Sequence, residues 1–285
     1  MIVAISGASG FIGQALTGKM RDLAWTLKVI PREAFKLTDA EFLVTYIEGC
    51  DAVINLAGAP VAKKWTAAWK QEILDSRVLT TRKISTAISL ARQKPAVFLS
   101  ASAIGIYDSA NTHTEASTAF SDSFLAKVCM AWEEEALNAQ PFCRVIVFRN
   151  GLVLGSDGGA LKKMHLPFSI GLGAKLGGGR QSVSFIHITD LVDAMLFATG
   201  NREISGVVNA VSPYPTNNAE FSDCLAKVLY QSCRLTIPAF ALKMLYGEGA
   251  SILLEGQKVL PEKLEQAGFR FKYPTIQNSL VKIYG

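Results

Sequence analysis

A glycine-rich turn near the N-terminus constrains the fold of this chain more than any other feature. The apolar segment Ile2–Ser6 has the length of a buried strand and runs directly into Gly7-Ala-Ser-Gly10-Phe-Ile-Gly13. Beyond the turn, apolar residues recur at helical spacing as far as Leu23. A strand, a glycine turn and a helix in this order let a pyrophosphate approach the backbone beside the unpaired N–H groups of the helix start. The turn therefore predicts a dinucleotide site. Its predicted residues are Gly7, Ser9, Gly10, Phe11, Ile12 and Gly13.

The chain beyond this turn alternates between strand-like and helix-like segments. The predicted strands are 2–6, 26–30, 52–56, 96–100, 144–148, 183–188 and 207–211. The predicted helices are 11–23, 40–47, 65–92, 121–139 and 189–199. Such alternation predicts an α/β fold, a Rossmann-like doubly wound parallel sheet covered by helices on both faces.

Two segments interrupt this pattern and suggest a second unit. Residues 151–179 are rich in glycine and are interpreted as excursion loops, while Pro213 and Pro215 open a C-terminal region predicted to be mostly helical. A length of 285 residues accommodates two domains. We predict a dinucleotide-binding Rossmann domain over 1–155, continued by 183–211. A small, discontinuous C-terminal cap domain for the substrate is predicted from 156–182 and 212–285.

Composition narrows the classes of partner. The 29 basic and 24 acidic residues leave a formal charge of +5, but the basic residues form pairs rather than a long run, so a small-molecule substrate is favoured over nucleic acid. No apolar stretch of membrane-spanning length occurs, and the N-terminus lacks the basic region of a signal peptide. The five cysteines and three histidines are scattered, which predicts neither disulfides nor a metal site. A cytoplasmic monomer or homodimer is expected.

The residue at the end of the second strand predicts which cofactor is bound. Arg32 and Glu33 stand about twenty residues after the glycine turn. An acid at this point binds the ribose 2′-hydroxyl of NAD, whereas an arginine suits the 2′-phosphate of NADP. Arg32 is nearer the strand end, so NADP is predicted, with NAD as the alternative. Both residues could instead be solvated surface charges.

Three further segments carry a family resemblance: Asn55-Leu-Ala-Gly58-Ala-Pro, Ser100-Ala-Ser102-Ala-Ile-Gly-Ile-Tyr107 and Phe185-Ile-His187-Ile-Thr-Asp190. Together they resemble the extended short-chain dehydrogenase/reductase superfamily of the NAD-dependent epimerase/dehydratase type. More narrowly, the chain is similar to an atypical "epimerase family" branch with a C-terminal domain of unknown function. That closer likeness rests on the segments 55–60, 75–78, 131–133, 158–164, 178–181, 247–251 and 254–264.

The resemblance implies a Rossmann sheet of about seven strands, with the cap closing over the nicotinamide end of the cofactor. It also implies that Ser102 occupies the position of the family's catalytic serine. The residues expected beside the cofactor are Asn55, Leu56, Ala57, Gly58 and Ser100. Asn55 and Ser102 could also be strand-end residues that satisfy backbone groups.

The superfamily's Tyr-x-x-x-Lys pair, which exchanges protons with substrate, is missing from the expected helix. Cys129 and Glu133 stand in its place, four residues apart and so on one helical face. A neighbouring carboxylate disfavours the thiolate, so Cys129 should remain a neutral thiol, while Glu133 could accept hydrogen bonds from ribose hydroxyls. Alternatively, Cys129 is buried filler and Glu133 belongs to an exposed acidic run.

Any remaining proton transfer then needs another acid. Tyr107, Glu115 and His187 are candidates, and Tyr107 is preferred because it closely follows the strand that carries Ser102. Arg180, Gln181 and His187 follow the glycine run and are predicted to contact substrate. The first two could instead tie the domains together.

Three functions follow from these residues. The first is an NADP(H)-binding oxidoreductase or epimerase-like enzyme acting on a small polar substrate. The second is a non-catalytic dinucleotide-binding or redox-sensing protein, which the missing proton-transfer pair favours. A nucleotide-sugar epimerase is the third, and it depends on a proton shuttle that the sequence lacks.

Overall fold

The computed structural model describes residues 1–36 and 39–285, and in them strands alternate with helices. The strands are β1 (Ile2–Ser6), β2 (Thr26–Ile30), β3 (Ala52–Asn55), β4 (Val97–Ala103), β5 (Thr112–His113), β6 (Arg144–Asn150), β7 (Leu152–Leu154), β8 (Ala174–Leu176), β9 (Ser182–Val183), β10 (Phe185–His187), β11 (Gly206–Ala210), β12 (Thr216–Asn217), β13 (Leu235–Ile237) and β14 (Lys258–Val259). The helices are α1 (Phe11–Asp22), α2 (Glu41–Ile47), α3 (Ala67–Leu90), α4 (Phe124–Leu137), α5 (Gly159–Ser169), α6 (Ile188–Gly200), α7 (Asn218–Val228), α8 (Ala239–Tyr246), α9 (Ser251–Leu254), α10 (Glu262–Gln266) and α11 (Ile276–Tyr284). Short 3-10 helices cover Arg32–Lys36, Ile104–Ile106 and Gly247–Ala250.

A parallel sheet forms the centre of the molecule, in the order β11-β6-β4-β3-β1-β2. The predicted α/β class and doubly wound sheet are confirmed. The resemblance implied about seven strands, but six join this sheet among the described residues. The segment predicted as a strand over 183–188 divides into β9 and β10, which pair with β12 and β7 instead. Because the chain turns away after β6 at Gly151, β7 pairs with β10 outside the sheet.

Helices cover both faces of this sheet, and the alternation within one strand shows how. Val3 and Ile5 of β1 belong to a core cluster that includes residues of α1 and α6. Ala4, between them, belongs to a second cluster on the opposite face with residues of α2 and α3. Successive side chains of a strand point to opposite faces, so a strand buried on both faces is apolar throughout.

The glycine-rich stretch 151–179 is not a set of loops, as was expected from its composition. It contains β7, α5 and β8. Leu161, Met164 and Phe168 recur at helical spacing in α5 and contribute to a third core cluster. The glycines flank these elements, and their density concealed a helical pattern of ordinary strength.

The C-terminal region contains five helices among the described residues, as the sequence predicted. Strand β14 pairs with β5, and Asp190 of α6 accepts hydrogen bonds from the backbone N–H groups of Lys272 and Tyr273, at 2.9 Å each. These contacts attach the C-terminal segment to the unit that carries the sheet. Within residues 1–36 and 39–285, no helix is both long and apolar enough to cross a membrane.

Candidate functional site

The glycine turn lies at the carboxyl edge of the sheet, against the end of β3. Gly7 has a φ of +74°, a left-handed conformation that glycine adopts without a steric penalty. A Cβ at Gly13 would lie 2.1 Å from the carbonyl oxygen of Gly7, so this crossing requires glycine. Gly10, which directly precedes α1, provides no side-chain cap, so N–H groups of the first turn of α1 remain available to a ligand. This backbone cradle, which a Cβ would fill, fits a dinucleotide pyrophosphate.

Side chains of the turn differ in their surroundings. Ser9 is exposed, and Ile12 packs against the sheet core. The ring of Phe11 packs against Gly155, Gly158 and Gly159, where α5 begins. Phe11 therefore connects the turn to the segment between β7 and α5.

Asn55, the last residue of β3, is fully buried and joins neighbouring segments at the carboxyl edge of the sheet. Its Oδ1 accepts a hydrogen bond from Ser6 Oγ at 2.6 Å, and its Nδ2 donates to Thr81 Oγ1 at 2.8 Å. The N–H of Ala57 also donates to Asn55 Oδ1, at 3.3 Å. These partners use both ends of the amide, so Asn55 positions the chain after β3, in agreement with the alternative that it satisfies groups at the strand end. Leu56, Ala57 and Gly58, which follow it, are solvent-accessible, whereas the Ser100 side chain is buried.

Arg32 lies just beyond the end of β2, the position predicted to select the cofactor. Its side chain is 80% exposed, and its Nη2 forms an ion pair with Glu72 Oε1 of α3 at 3.1 Å. The guanidinium is thus accessible from solvent, but a carboxylate competes for it.

A buried polar network connects Ser102 to α4. Ser102 Oγ donates to Glu133 Oε1 at 2.6 Å. Arg149 of β6 binds both oxygens of the same carboxylate, from Nε at 2.8 Å and from Nη2 at 2.6 Å. Glu133 is 7% exposed, so it does not belong to an exposed acidic run as the alternative interpretation held. Burial alone would lower the pKa of Arg149, but the hydrogen bonds and charge of Glu133 raise it above the ordinary arginine value.

Cys129 lies on the same face of α4 as Glu133, as their spacing predicted. Burial raises the pKa of the Cys129 thiol to about 11, and the Glu133 charge contributes in the same direction. The thiol is therefore neutral near pH 7. It packs with Ile106, Tyr107 and Val211, which agrees with the interpretation of Cys129 as a buried filler.

Tyr107 is not positioned as the replacement acid that the sequence favoured. It is fully buried, and its ring stacks on His113 with centroids 4.6 Å apart. Its hydroxyl lies 2.7 Å from Arg149 Nη1 and 2.9 Å from Asn209 Oδ1. A general acid must reach the substrate, and this phenol is enclosed among protein partners. Its closeness to β4 in the sequence predicted a place near the cleft, but Tyr107 follows the 3-10 helix at Ile104–Ile106 and its side chain is fully buried.

The other acid candidates are also engaged in structural contacts. His187 is buried and caps α6, since its Nδ1 accepts a hydrogen bond from the Thr189 N–H at 3.1 Å. Burial lowers the pKa of His187 to about 4, with a smaller contribution from Lys282. Both oxygens of Glu115 accept backbone N–H groups, those of Asn209 and Lys263.

The predicted substrate residues Arg180 and Gln181 lie in the segment between β8 and β9. Arg180 is exposed. Gln181 donates from Nε2 to the carbonyl oxygens of Leu176 and Leu253, at 3.0 and 2.9 Å. Gln181 therefore joins β8 to α9, two elements of the predicted cap, rather than joining the cap to the Rossmann domain.

Two cavities of the described structure lie near these elements. One of about 610 Å³ is formed by Gly177, Gly178 and residues of α8, α9 and the 3-10 helix Gly247–Ala250, including Lys243 and Glu248. Glu248 forms an ion pair with Lys70 of α3. The other cavity, of about 360 Å³, is lined partly by Glu133 and Arg149.

Two arginines near the site, Arg149 and Arg77, were not predicted from the sequence. Arg149 directly follows the apolar run 145–148 of strand β6, and an arginine in a buried strand requires an acid partner, so the sequence did contain a signal for it. Arg77 of α3 has no comparable signal, because a helical arginine is ordinarily exposed.

Comparison with known proteins gives consistent matches over the chain. A family model described as the NAD dependent epimerase/dehydratase family matches residues 3–210, and one described as a domain of unknown function matches residues 237–283. The "epimerase family protein SDR39U1 homolog, chloroplastic" of Arabidopsis thaliana is 38% identical, over 98% of this chain and 86% of that protein. An epimerase family protein of Mycobacterium bovis is 37% identical, over 98% and 96% of the two chains.

A crystal structure of the human epimerase family protein SDR39U1 with NADPH also matches. Its TM-score is 0.92 at 31% identity, and the match covers 100% of this chain and 99% of the human one.

Proposed function

This chain belongs to the NAD-dependent epimerase/dehydratase family, and from that premise we propose that it binds NADP(H) and transfers hydride to or from a small polar substrate. The observation that carries the proposal is the glycine cradle at Gly7 and Gly13, where the uncapped start of α1 meets the end of β3. Binding of NADPH by the human relative supports the choice of cofactor.

Within this proposal, the dinucleotide lies along the carboxyl edge of the sheet. Its pyrophosphate is held by the backbone of the turn and the first turn of α1. Leu56, Ala57 and Gly58 contact the adenosine side, and Arg32 binds the 2′-phosphate in exchange for Glu72. The nicotinamide ring supplies or accepts the hydride when the cofactor is bound.

Ser102 has a different role from a serine that donates to a substrate carbonyl. Its single proton is committed to Glu133, whose charge is balanced by Arg149. Because the Ser102 side chain is only 3% exposed, its role within this proposal is to hold the Glu133 carboxylate rather than to contact the substrate. No side chain of this network donates a proton to the reacting atom. Because general acid/base assistance contributes about 10²- to 10⁴-fold, we expect slow turnover of ordinary alcohol and sugar substrates.

A second candidate is a dinucleotide-binding protein without catalysis. The neutral Cys129 thiol and the enclosed Tyr107 hydroxyl favour it, because neither supplies the missing proton transfer. Both candidates require the cofactor site, and they differ in whether the bound NADPH is consumed.

Calorimetric titration with NADPH and with NADH tests the cofactor assignment. We expect at least a tenfold preference for NADPH, which corresponds to about 1.4 kcal/mol and lies near the lower limit for a charge-assisted contact because Arg32 is exposed to solvent. Arg32→Ala should remove this preference without changing NADH affinity, and Glu72→Ala should raise NADPH affinity by freeing Arg32. Arg92→Ala, an exposed arginine that follows α3 at the opposite edge of the sheet, is the matched control.

Equal affinity of the wild type for both cofactors would refute the assignment. Incubating the NADPH-loaded protein with a panel of small carbonyl compounds, while following nicotinamide absorbance, then separates the two candidates. Oxidation of bound NADPH supports hydride transfer. Stable NADPH throughout the panel supports binding alone.

A further inference from the structure

The guanidinium of Arg77 in α3 lies beside the carboxyl edge of the sheet, close to the residues that follow β3. A Cβ on Gly58, just beyond β3, would lie 3.0 Å from Arg77 Cζ. The guanidinium donates from Nη1 to the carbonyl oxygen of Ile73 at 3.1 Å and from Nη2 to that of Ala59 at 3.0 Å. Burial lowers the pKa of Arg77, which reflects the loss of water around a charge that remains present at neutral pH.

This partly buried cation has no acidic partner among residues 1–36 and 39–285, where no carboxylate oxygen lies within 4.0 Å of it. The titratable group that acts on it is Cys129, whose thiol is neutral with a pKa of about 11. Buried charges in proteins are ordinarily paired, because removing an ion from water is costly. Arg149, the other arginine of the site, has such a pair with Glu133.

The positive charge of Arg144, another partly buried arginine, is stabilised by carbonyl oxygens instead of an acidic side chain. It donates to the carbonyl oxygens of Ala198 and Thr199 at the end of α6, and to that of Ile204. The C-terminus of a helix carries partial negative charge, which stabilises a cation. Arg77 lacks this compensation, since Ile73 lies within α3 and Ala59 follows β3.

Unused hydrogen-bond donors accompany the unpaired charge. A guanidinium has five N–H donors, and two are used by Ile73 and Ala59, which leaves three. Arg77 Cζ lies 5.2 Å from the ring centroid of Trp132, on the same helix as Cys129 and Glu133. Trp132 is 5% exposed, and its Nε1–H has no acceptor in the described structure.

We propose that Arg77 binds an oxyanion of the ligand in the cleft through two of these free N–H donors. The chemistry is that of a carboxylate or phosphate with two oxygens facing the planar guanidinium. Two sources can provide it: the diphosphate of the dinucleotide, or an acid group of the substrate. The inference rests on the proposed function, because both ligands belong to the same cleft, and it makes Arg77 a residue that selects anionic ligands.

The test compares Arg77→Gln with the exposed control Arg92→Gln. Calorimetry measures the affinity for NADPH, and then the affinities of the NADPH-loaded protein for inorganic phosphate and for succinate. We expect Arg77→Gln to weaken binding at least tenfold in one of these titrations, while Arg92→Gln matches the wild type. A loss for NADPH identifies the cofactor diphosphate as the anion. An unchanged NADPH affinity with a loss for phosphate or succinate identifies an acid group of the substrate.

Unchanged affinities in all three titrations would overturn the proposal. If Arg77→Gln does not fold, Arg77→Lys retains the positive charge but loses the planar pair of donors, and a smaller loss of affinity in the same titration is expected. Should the wild type fail to bind NADPH, the proposed function fails separately. Phosphate and succinate titrations of the wild type and Arg77→Gln without cofactor would still test whether Arg77 binds anions.

Discussion

Removal of the Glu133 carboxylate should destabilise this protein more than most single substitutions. Glu133→Ala deletes the acceptor of the hydrogen bonds from Ser102 Oγ and from Arg149 Nε and Nη2. Arg149 would then remain buried and unpaired beside the rings of Tyr107 and Phe120. Breaking a buried ion pair from one side costs about 3–5 kcal/mol, and an unsatisfied hydroxyl adds about 1 kcal/mol. Against a total stability of roughly 5–15 kcal/mol, this is a large fraction.

The charge pair itself contributes less than this loss suggests. Replacing a buried ion pair by apolar residues of similar volume is often close to neutral, because the desolvation cost of both ions disappears. We therefore expect the double variant Glu133→Met with Arg149→Met to be more stable than either single methionine variant. The coupling free energy of this double-mutant cycle should exceed about 3 kcal/mol.

Urea unfolding, followed by tryptophan fluorescence and by circular dichroism, measures these differences. Trp132 precedes Glu133 and reports locally on α4. Glu134→Ala is the matched control, since Glu134 is exposed on the same helix and should shift stability by no more than about 0.5 kcal/mol. A loss below about 1 kcal/mol in Glu133→Ala would show that water or a rearranged Arg149 satisfies the site, and would refute the argument.

Two further predictions concern the glycine turn and the cap of α6. Gly13→Ala should abolish NADPH binding, because its Cβ would lie 2.1 Å from the Gly7 carbonyl oxygen; NADPH binding by this variant in calorimetry would contradict the turn geometry. In the same helix, a Cβ at Gly18 meets no atom within 4 Å, so Gly18→Ala should increase the free energy of unfolding by up to about 1 kcal/mol in urea. The pKa of His187 is lowered from 6.5 to about 4, so between these pH values the unfolded chain binds a proton that the folded protein excludes. The free energy of unfolding of the wild type should therefore fall by up to about 3 kcal/mol as the pH decreases from 6.5 to 4. His187→Asn keeps an N-cap acceptor and should remove this pH dependence; identical pH profiles of the two proteins in urea unfolding would refute the argument.

The local pattern of the chain was sufficient to predict most of the sheet. The apolar run Ile2–Ser6 and the glycine turn after it are dictated by side-chain period and by steric limits that act over a few residues. The same is true of α3 and α4, whose predicted ranges contain the observed helices. The helix within 151–179 escaped prediction because its flanking glycines outweighed three apolar residues at helical spacing.

The functional groups of the site were only partly predictable. The spacing of Cys129 and Glu133 places them on one helical face, and the effect of a carboxylate on a thiol is general chemistry, so the neutral thiol followed from the sequence. Which role each polar side chain takes depends on partners far along the chain. Tyr107 Oη meets Asn209, 102 residues away, and this contact encloses a phenol that sequence order had placed near the cleft.

Sequence alone therefore determined the alternation of strands and helices and the glycine cradle, because both arise from backbone geometry and burial within short segments. The tertiary structure decided which charges are paired. Glu133 is neutralised by Arg149 from a neighbouring strand, while Arg77 lies partly buried beside Gly58 with no acidic partner among the described residues. Pairing is set by three-dimensional distance and by the loss of water on folding, and neither quantity is encoded in the local order of residues.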